Sequence, residues 1–327
     1  MLQSDEIKIV HGTIAGKPIT FETGRLAKQA GGAVLVTMGS TVVLATATVS
    51  NVAKEGIDFF PLTVDYFEKM YAVGKIPGGF YKREGRPSER EILRSRLIDR
   101  SIRPLFPKHF RQEVQVIVYV LSADEENSPD ILAINAVSAA LLLSNAPFVD
   151  AVGAVRVGKI DGQLVFNPSP SDTETKSMLD LTVSGTSKGI LMVESGAREI
   201  SEAEMVEALV KAQEPIRESC ALQEELRSQA GKEKIVVPPL SFDDALQTRV
   251  RAIVEEQLPE LLKNKEKLKK EKILDEFKGE LAAGLTVDYP DDALIVGEVL
   301  DAEIKRFIRH LVVAKGVRID GRTPEQI

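Results

Sequence analysis

The chain has no tryptophan, one cysteine and three histidines in 327 residues, and aromatic side chains make up only 5% of it. With Cys220 alone, neither a disulfide framework nor a thiolate metal cluster can form within one chain, a usage that suits a reducing, cytoplasmic setting. His11, His109 and His310 show no metal-ligand spacing, and so few histidines give little support to a Ser–His–Asp arrangement. The phosphate-cradling patterns G-x-x-x-x-G-K-[ST] and G-x-G-x-x-G are both missing, so neither a P-loop nor a dinucleotide-binding turn is indicated. The opening residues, MLQSDEIKIV, lack the basic segment and apolar core of a signal peptide. The most membrane-like run, Ile131–Val149, contains Asn135, Ser138, Ser144 and Asn145, and reads as a buried core helix; no membrane partner is expected.

What remains is a composition of 43% apolar and 28% charged residues with formal net charge −7, long enough for two domains. The acidic balance argues against nonspecific coating of nucleic acid, so any anion site must be local. The first part reads β-rich. Gly32–Val49 gives two β-branched runs around a Gly39-Ser40 turn, and "DFFPLTVDY" and "EVQVIVYVLSAD" read as further strands, the second almost fully apolar and therefore central. A helix is expected over Pro129–Ser144, then strands near 151–157, 163–166, 180–184 and 190–194. Ser201 and Glu204 open a long helix that Pro215 should kink or split. Gly231–Ser241, with its double proline, reads as a linker. Helical periodicity then dominates to a stop at Gly316. The expected domains are 1–235, 236–315 and a short new beginning at 316–327. The basic run Lys263–Lys272 has two readings, a solvated helix face or an RNA contact.

One stretch stands apart. Between Lys82 and Arg111 the chain places ten Lys and Arg against four acids. Ser88 and Glu91 form a capping box and Pro104 should stop the helix they start. At 100° per residue, Arg96, Arg100 and Arg103 share one stripe. Ile92 and Leu93 flank it, so it is expected to be partly covered. Asp99 can pair with Arg103 or Arg96, giving one reading: a helix with internal ion pairs. One aspartate against three guanidiniums leaves a surplus, giving the other: an external phosphate, which the planar guanidinium fork suits. Upstream, "PGGFYKR" offers Phe80 and Tyr81 as stacking faces and Lys82 and Arg83 as cations, the means by which single strands are held without sequence preference. Taken alone, two adjacent aromatics also fit a strand's core and surface pair.

The block "FFPLTVDYFEKMYAVGKIPGGFYKREGRPSEREILRSRLIDRSIRPLFP", with "ETGRLAKQAGGAVLV", "DILAINAVSAAL", "GAVRVGKIDGQLVFNP", "LDLTVSGTSKGILMVES" and "RIDGR", closely resembles bacterial polynucleotide phosphorylase. The resemblance implies an α+β RNase PH-like core (β-α-β-α), then an all-helical domain, then the first residues of a second such core. It implies phosphorolytic 3′-to-5′ decay of single-stranded RNA, with inorganic phosphate as co-substrate, nucleoside diphosphates as products and a reversible reaction. It also implies Mg²⁺ bound in the second core, a homotrimer, and association with RNA degradosome components. In that family the second core supplies a phosphate-binding serine turn and an Asp-x5-Asp pair with a lysine two residues on. Here the equivalent stretch reads Glu174-x5-Asp180 with Thr182 at the lysine position, which leaves Asp180 structural or, with Glu174, a vestigial metal site. Phe80, Tyr81, Lys82, Arg83 and Arg86 match the loop that constricts the central channel. Arg96, Arg100 and Arg103 match the helix bordering the second core's active site, and Arg156 in "GAVRVG" is a weaker RNA-binding candidate. This portion alone is therefore expected to be inactive. The rival readings are a non-catalytic RNA-binding or assembly half and a small-molecule phosphotransferase, the latter opposed by the missing nucleotide loops.

Overall fold

The structure is a computed structural model and describes residues 6–53, 57, 59–238, 244–262, 267–289, 293–319, 322–323 and 325–326. The chain divides into two compact units, Met1–Val237 and Pro238–Ile327.

In the first unit, strands β1 (Lys8–Ile14), β2 (Lys17–Thr23), β3 (Gly32–Met38), β4 (Thr41–Ala53), β5 (Leu62–Glu68) and β6 (Gln112–Ser122) form one sheet in the order β1-β2-β3-β4-β6-β5. Only β5 and β6 run parallel, and helix α1 (Glu89–Ile102) lies in the crossover between them. Period-two burial builds the sheet: Val114, Val116, Val118 and Val120 of β6 all point into the core. As expected, β6 is interior, flanked by β4 and β5. The expected hairpin forms with Gly39 at φ 59°. Asp124 ties its turn by accepting from Ser40 N at 2.8 Å and from the Thr41 hydroxyl at 3.0 Å.

Helix α2 (Pro129–Leu143) is apolar all round, and fourteen of its fifteen residues are buried. It packs on β3 and β4 on one side. On the other lie a second sheet and helix α4 (Glu202–Ala230). That sheet contains β7 (Gly153–Ile160), β8 (Gln163–Phe166), β9 (Leu179–Gly185) and β10 (Ile190–Ala197), ordered β10-β9-β7-β8 and fully antiparallel; the short helix α3 (Pro170–Thr175) joins β8 to β9. Close approach of α2 to β3 needs glycine, because a Cβ on Gly32 would lie 2.1 Å from the Ala140 carbonyl oxygen. Asn135 stitches the layers together. Its amide donates to Ala154 O at 3.1 Å, and its carbonyl oxygen accepts from Ala154 N at 2.9 Å and from the Ser219 hydroxyl at 2.6 Å.

Helix α4 starts at the Ser201–Glu204 capping box but is not split at Pro215. It runs 29 residues through the proline, whose ring is buried, so packing against the core offsets the missing hydrogen bond. The segment after α4 remains part of this unit. Lys234 Nζ donates to the carbonyls of Leu141, Leu142 and Ser144 at 2.9, 2.7 and 2.7 Å, closing the C-terminal end of α2. Lys232 Nζ donates to Gly31 O at 2.6 Å.

The second unit is helical: α5 (Asp244–Leu261), α6 (Lys267–Asp288) and α7 (Ala293–Lys315). Leu246, Val250, Val254 and Leu258 bury one face of α5 in a cluster with Phe277 and Leu285 of α6 and Val296, Val299, Leu300 and Ile304 of α7. Buried Glu303 accepts from Arg251, Arg306 and Gln247. Gly316 ends α7 in the left-handed region at φ 61°. Of the basic run Lys263–Lys272, residues 263–266 lie outside the described residues and 267–272 open α6; the middle of "RIDGR" and the end of the linker also lie outside them.

Candidate functional site

The loop from Gly74 to Ser88 is built as an exposed projection with pinned ends. A 3-10 turn, Met70–Val73, leads out of β5 and closes on Gly74 at φ 68°. Glu84 returns to it, accepting from Met70 N at 2.9 Å, and Glu91 accepts from Glu68 N at 2.8 Å. Between these anchors every residue from Gly78 to Arg90 is exposed. Phe80 is 93% and Tyr81 79% exposed, so they are not a core and surface pair. Their rings meet each other edge to face, 5.3 Å apart. Lys82 takes a left-handed φ of 50° and donates its N–H to Gly79 O at 3.0 Å, so a tight turn presents both rings. Gly78 and Gly79 stand in open space, and nothing steric requires glycine at either.

Helix α1 begins with the expected capping box and ends just before Pro104. It buries Arg94, Leu97, Ile98, Ser101 and Ile102, and turns Ile92, Leu93, Arg96 and Arg100 outward. The flanking Ile92 and Leu93 are 52% and 57% exposed among the described residues, so they do not cover the stripe as expected. The stripe of three arginines also separates into three different situations. Arg103 is saturated. Its Nε and one terminal nitrogen donate to Asp99 at 2.8 and 2.6 Å, and it also donates to the Phe60 and Leu62 carbonyls, both at 3.1 Å. Arg100 pairs with Glu194 on β10. Arg96 is exposed, with no charged or hydrogen-bonded partner among the described residues. The surplus of two positive charges is thus reduced to one, because β10 supplies an acid from 94 residues away.

Behind α1 lies a cavity of about 450 Å³ bounded by Arg90, Leu93, Arg94, Asp130, Arg156 and Asp180. Strand register fixes its floor: Arg156 of β7, Thr182 of β9 and Glu194 of β10 form one cross-strand row. At its centre Asp130, at the start of α2, pairs with Arg156 at 3.1 Å and Arg94 at 3.4 Å. Burial alone would raise the Asp130 carboxyl, but the two guanidiniums outweigh it and hold it below the ordinary carboxylate range. Arg94 also pairs with Glu68, and Tyr66 donates to Glu68 at 2.6 Å. Sequence reasoning missed Arg94, Asp130 and Glu194. Two signals were available: Arg94 shares a helical face with Leu97, Ile98 and Ser101, and Asp130 opens an otherwise apolar helix.

Glu174 and Asp180 line a neighbouring cavity of about 510 Å³. Among the described residues no group of three or more His, Cys, Asp or Glu is placed to hold a metal ion. The charged group facing Asp180 is Arg156, 3.4 Å away, and a guanidinium there repels a cation. Thr182 is buried beside it and supplies no charge.

Residues 15–147 match the model of the 3′ exoribonuclease family, domain 1, and residues 150–214 match domain 2 of the same family. The chain belongs to that family. Its first unit is the α+β RNase PH-like core and its second the helical region that follows. Residues 245–323 match the model described as polyribonucleotide nucleotidyltransferase, RNA binding domain. The polyribonucleotide nucleotidyltransferase of Heliobacterium modesticaldum is 46% identical over 314 residues, covering 96% of this chain and 44% of that protein. That of Thermomicrobium roseum is 47% identical over 324 residues, covering 96% and 41%. The chain spans less than half the length of these curated relatives and corresponds to their N-terminal part. Rice (Oryza sativa) Rrp46 superposes with a TM-score of 0.49 at 15% identity, over 70% of this chain and 96% of that one.

Proposed function

We propose that this chain is the RNA-handling portion of a phosphorolytic 3′-to-5′ exoribonuclease. Such an enzyme uses inorganic phosphate to release nucleoside diphosphates from single-stranded RNA and can run in reverse. The observation that carries this reading is the projecting loop, where Phe80 and Tyr81 stand in solvent beside Lys82, Arg83 and Arg86. Exposed rings stack on bases and the cations beside them track phosphates. Arg96 and Arg100 extend the basic surface along α1, whereas Arg103 and Arg156 are held by internal carboxylates and serve the fold. Catalytic chemistry is assigned outside these residues. The Arg156–Asp180 contact and Thr182 do not fit a magnesium-assisted centre, so no catalytic step is drawn through this core.

Residues 316–327 fit the opening of a second core, and a homotrimer would place three such loops around one channel. Exposed Ile92 and Leu93 are apolar surface that such packing would cover. No helix among the described residues is long and apolar enough to cross a membrane. The second reading, a non-catalytic RNA-binding half, rests on the same loop and on the Arg156-blocked carboxylate. The deciding assay measures nucleoside diphosphate release from poly(A) with magnesium, with and without inorganic phosphate, for the full-length protein and for this chain. Phosphate-dependent release by the full-length protein alone is expected. Phosphate-independent loss of RNA would refute the phosphorolytic reading.

A further inference from the structure

We propose that Glu194 is an internal stand-in for an RNA phosphate: it occupies Arg100 when no strand is bound and gives way when one arrives. The proposal rests on the reading that Arg100 contacts RNA, and the structure supplies the competitor.

Arg100 and Glu194 come from different elements, the outward face of α1 and the edge strand β10. Their side chains are 47% and 58% exposed, so the pair is solvated and easily exchanged. Arg103 differs in kind. Four hydrogen bonds hold it, two to Asp99 and two to the Phe60 and Leu62 backbone carbonyls. Arg96 needs no release. Arg100 is therefore the one arginine of the stripe whose availability is set by a carboxylate that can leave it.

Glu194 is also placed rather than loose. It sits in register with Thr182, in the row that continues to Arg156, so the ladder fixes its backbone beside α1. The pairing is not needed to hold α1 on the sheet. Leu97, Ile98 and Ile102 are buried there, and Ser184 donates to the Ser101 hydroxyl at 2.8 Å within the core. A carboxylate and a phosphate diester present comparable paired oxygens to a guanidinium fork. A strand that brings a phosphate to Arg100 thus replaces one anion by another, while Glu194 returns to water. The expected consequence is a weaker and less salt-sensitive grip than the arginine count alone implies, because the freed Glu194 carboxylate takes back part of the cation association that the neutralised phosphate gives up.

The test is a double-mutant cycle in the full-length protein, with Glu194→Gln, Arg100→Gln and the double variant. Oligo(A) binding is titrated over a series of salt concentrations, and thermal unfolding confirms that each variant folds. Glu194→Gln should tighten binding by about two- to fivefold, the scale of one exposed ion pair. It should steepen the salt slope by up to about 0.7, the increment for one phosphate on a single strand. In the Arg100→Gln background the same substitution should change nothing. Equal tightening in both backgrounds would mean a general charge effect and would overturn the proposal. So would weaker binding by Glu194→Gln, which would make Glu194 a support for a bound Arg100. If Arg100→Gln weakens binding while Glu194→Gln is silent, the competitor role alone fails. If Arg100→Gln is itself silent, the RNA contact at Arg100 fails and the proposal falls with it.

Discussion

Arg103 and Asp99 lie one turn apart on α1 and are joined by two hydrogen bonds, 2.8 Å from Nε and 2.6 Å from a terminal nitrogen. The same guanidinium spans to the Phe60 and Leu62 carbonyls at the entrance of β5, with its carbon 5.5 Å from the centre of the Phe60 ring. This arginine ties the helix to the strand that precedes it.

Arg103→Gln should therefore lower stability by about 1–3 kcal/mol, since it removes the charge-assisted hydrogen bonds to Asp99 and takes a donor from the Phe60 and Leu62 carbonyls. The salt slope of RNA binding should not change. Arg96→Gln should do the reverse, leaving the unfolding midpoint in place and flattening the slope by about 0.7. Urea unfolding and salt-dependent RNA titration separate the two. An identical pattern for both variants would show that the stripe acts as one unit.

Removing the loop's rings should spare the fold. Phe80 and Tyr81 are 93% and 79% exposed, so replacing both with Ala should move stability by no more than about 0.5 kcal/mol. Affinity for single-stranded RNA should fall by roughly tenfold or more, given about 1–3 kcal/mol per stacked base. Filter binding and a thermal scan on the same preparation make the comparison. A large fall in the midpoint with unchanged affinity would reverse the assignment.

Asp130 is the counter-ion of buried Arg94 and half-buried Arg156, and Asp130→Asn should cost about 3 kcal/mol by leaving these guanidiniums undercompensated. The folded state holds this carboxyl below its ordinary value of 3.8. Its contribution is present above that value and is lost as pH falls through the lowered folded value. Unfolding free energy measured between pH 6 and about 3 should drop less in the Asn variant than in the parent.

A similar acid sensitivity is expected in the helical unit. Hydrogen bonds from Arg251, then from Arg306 and Gln247, bring Glu303 down to about 2 from 4.5 against the opposing effect of burial. Its support should fade as pH falls from about 4.5 toward 2, and Glu303→Gln should remove about 1–3 kcal/mol at neutral pH. Amide exchange in α5 and α7 reports this unit separately. Unchanged protection there at pH 7 in the Gln variant would show that the apolar cluster alone holds the helices.

Much of the fold was legible because its signals are local. Ser88, Glu91 and Pro104 mark both ends of α1, Gly39-Ser40 marks the hairpin, and Gly316 stops α7. The apolar run from Ile131 to Leu143, interrupted by Asn135 and Ser138, marked a buried core helix. A split at Pro215 does not occur, because a proline's effect on a helix depends on what packs against the ring, which lies elsewhere in the chain. The arginines show the same boundary. Helical spacing placed three of them on one stripe, and i,i+4 spacing found the Asp99–Arg103 pair. It held no information on Glu194 or Asp130, whose partnerships arise only when β10 and α2 fold against α1. Arg94 sits on the buried face for the same reason: tertiary carboxylates make a position tolerable that local hydropathy would forbid.

The hydrogen bonds from Lys234 to the end of α2 bear on the order of events as the protein is made. Synthesis delivers β1 through α2 first, yet three carbonyls at the close of α2 receive Lys234 only some ninety residues later. Until residue 234 has left the ribosome, the most apolar helix of the molecule has a frayed end. Helix α4, which packs on β1 and β7, is itself completed only at Ala230. The first unit should therefore gain full resistance to protease in one late step. Stalled nascent chains exposing residues to 230 should be cleaved within 130–146, and chains exposing residues to 237 should be protected there.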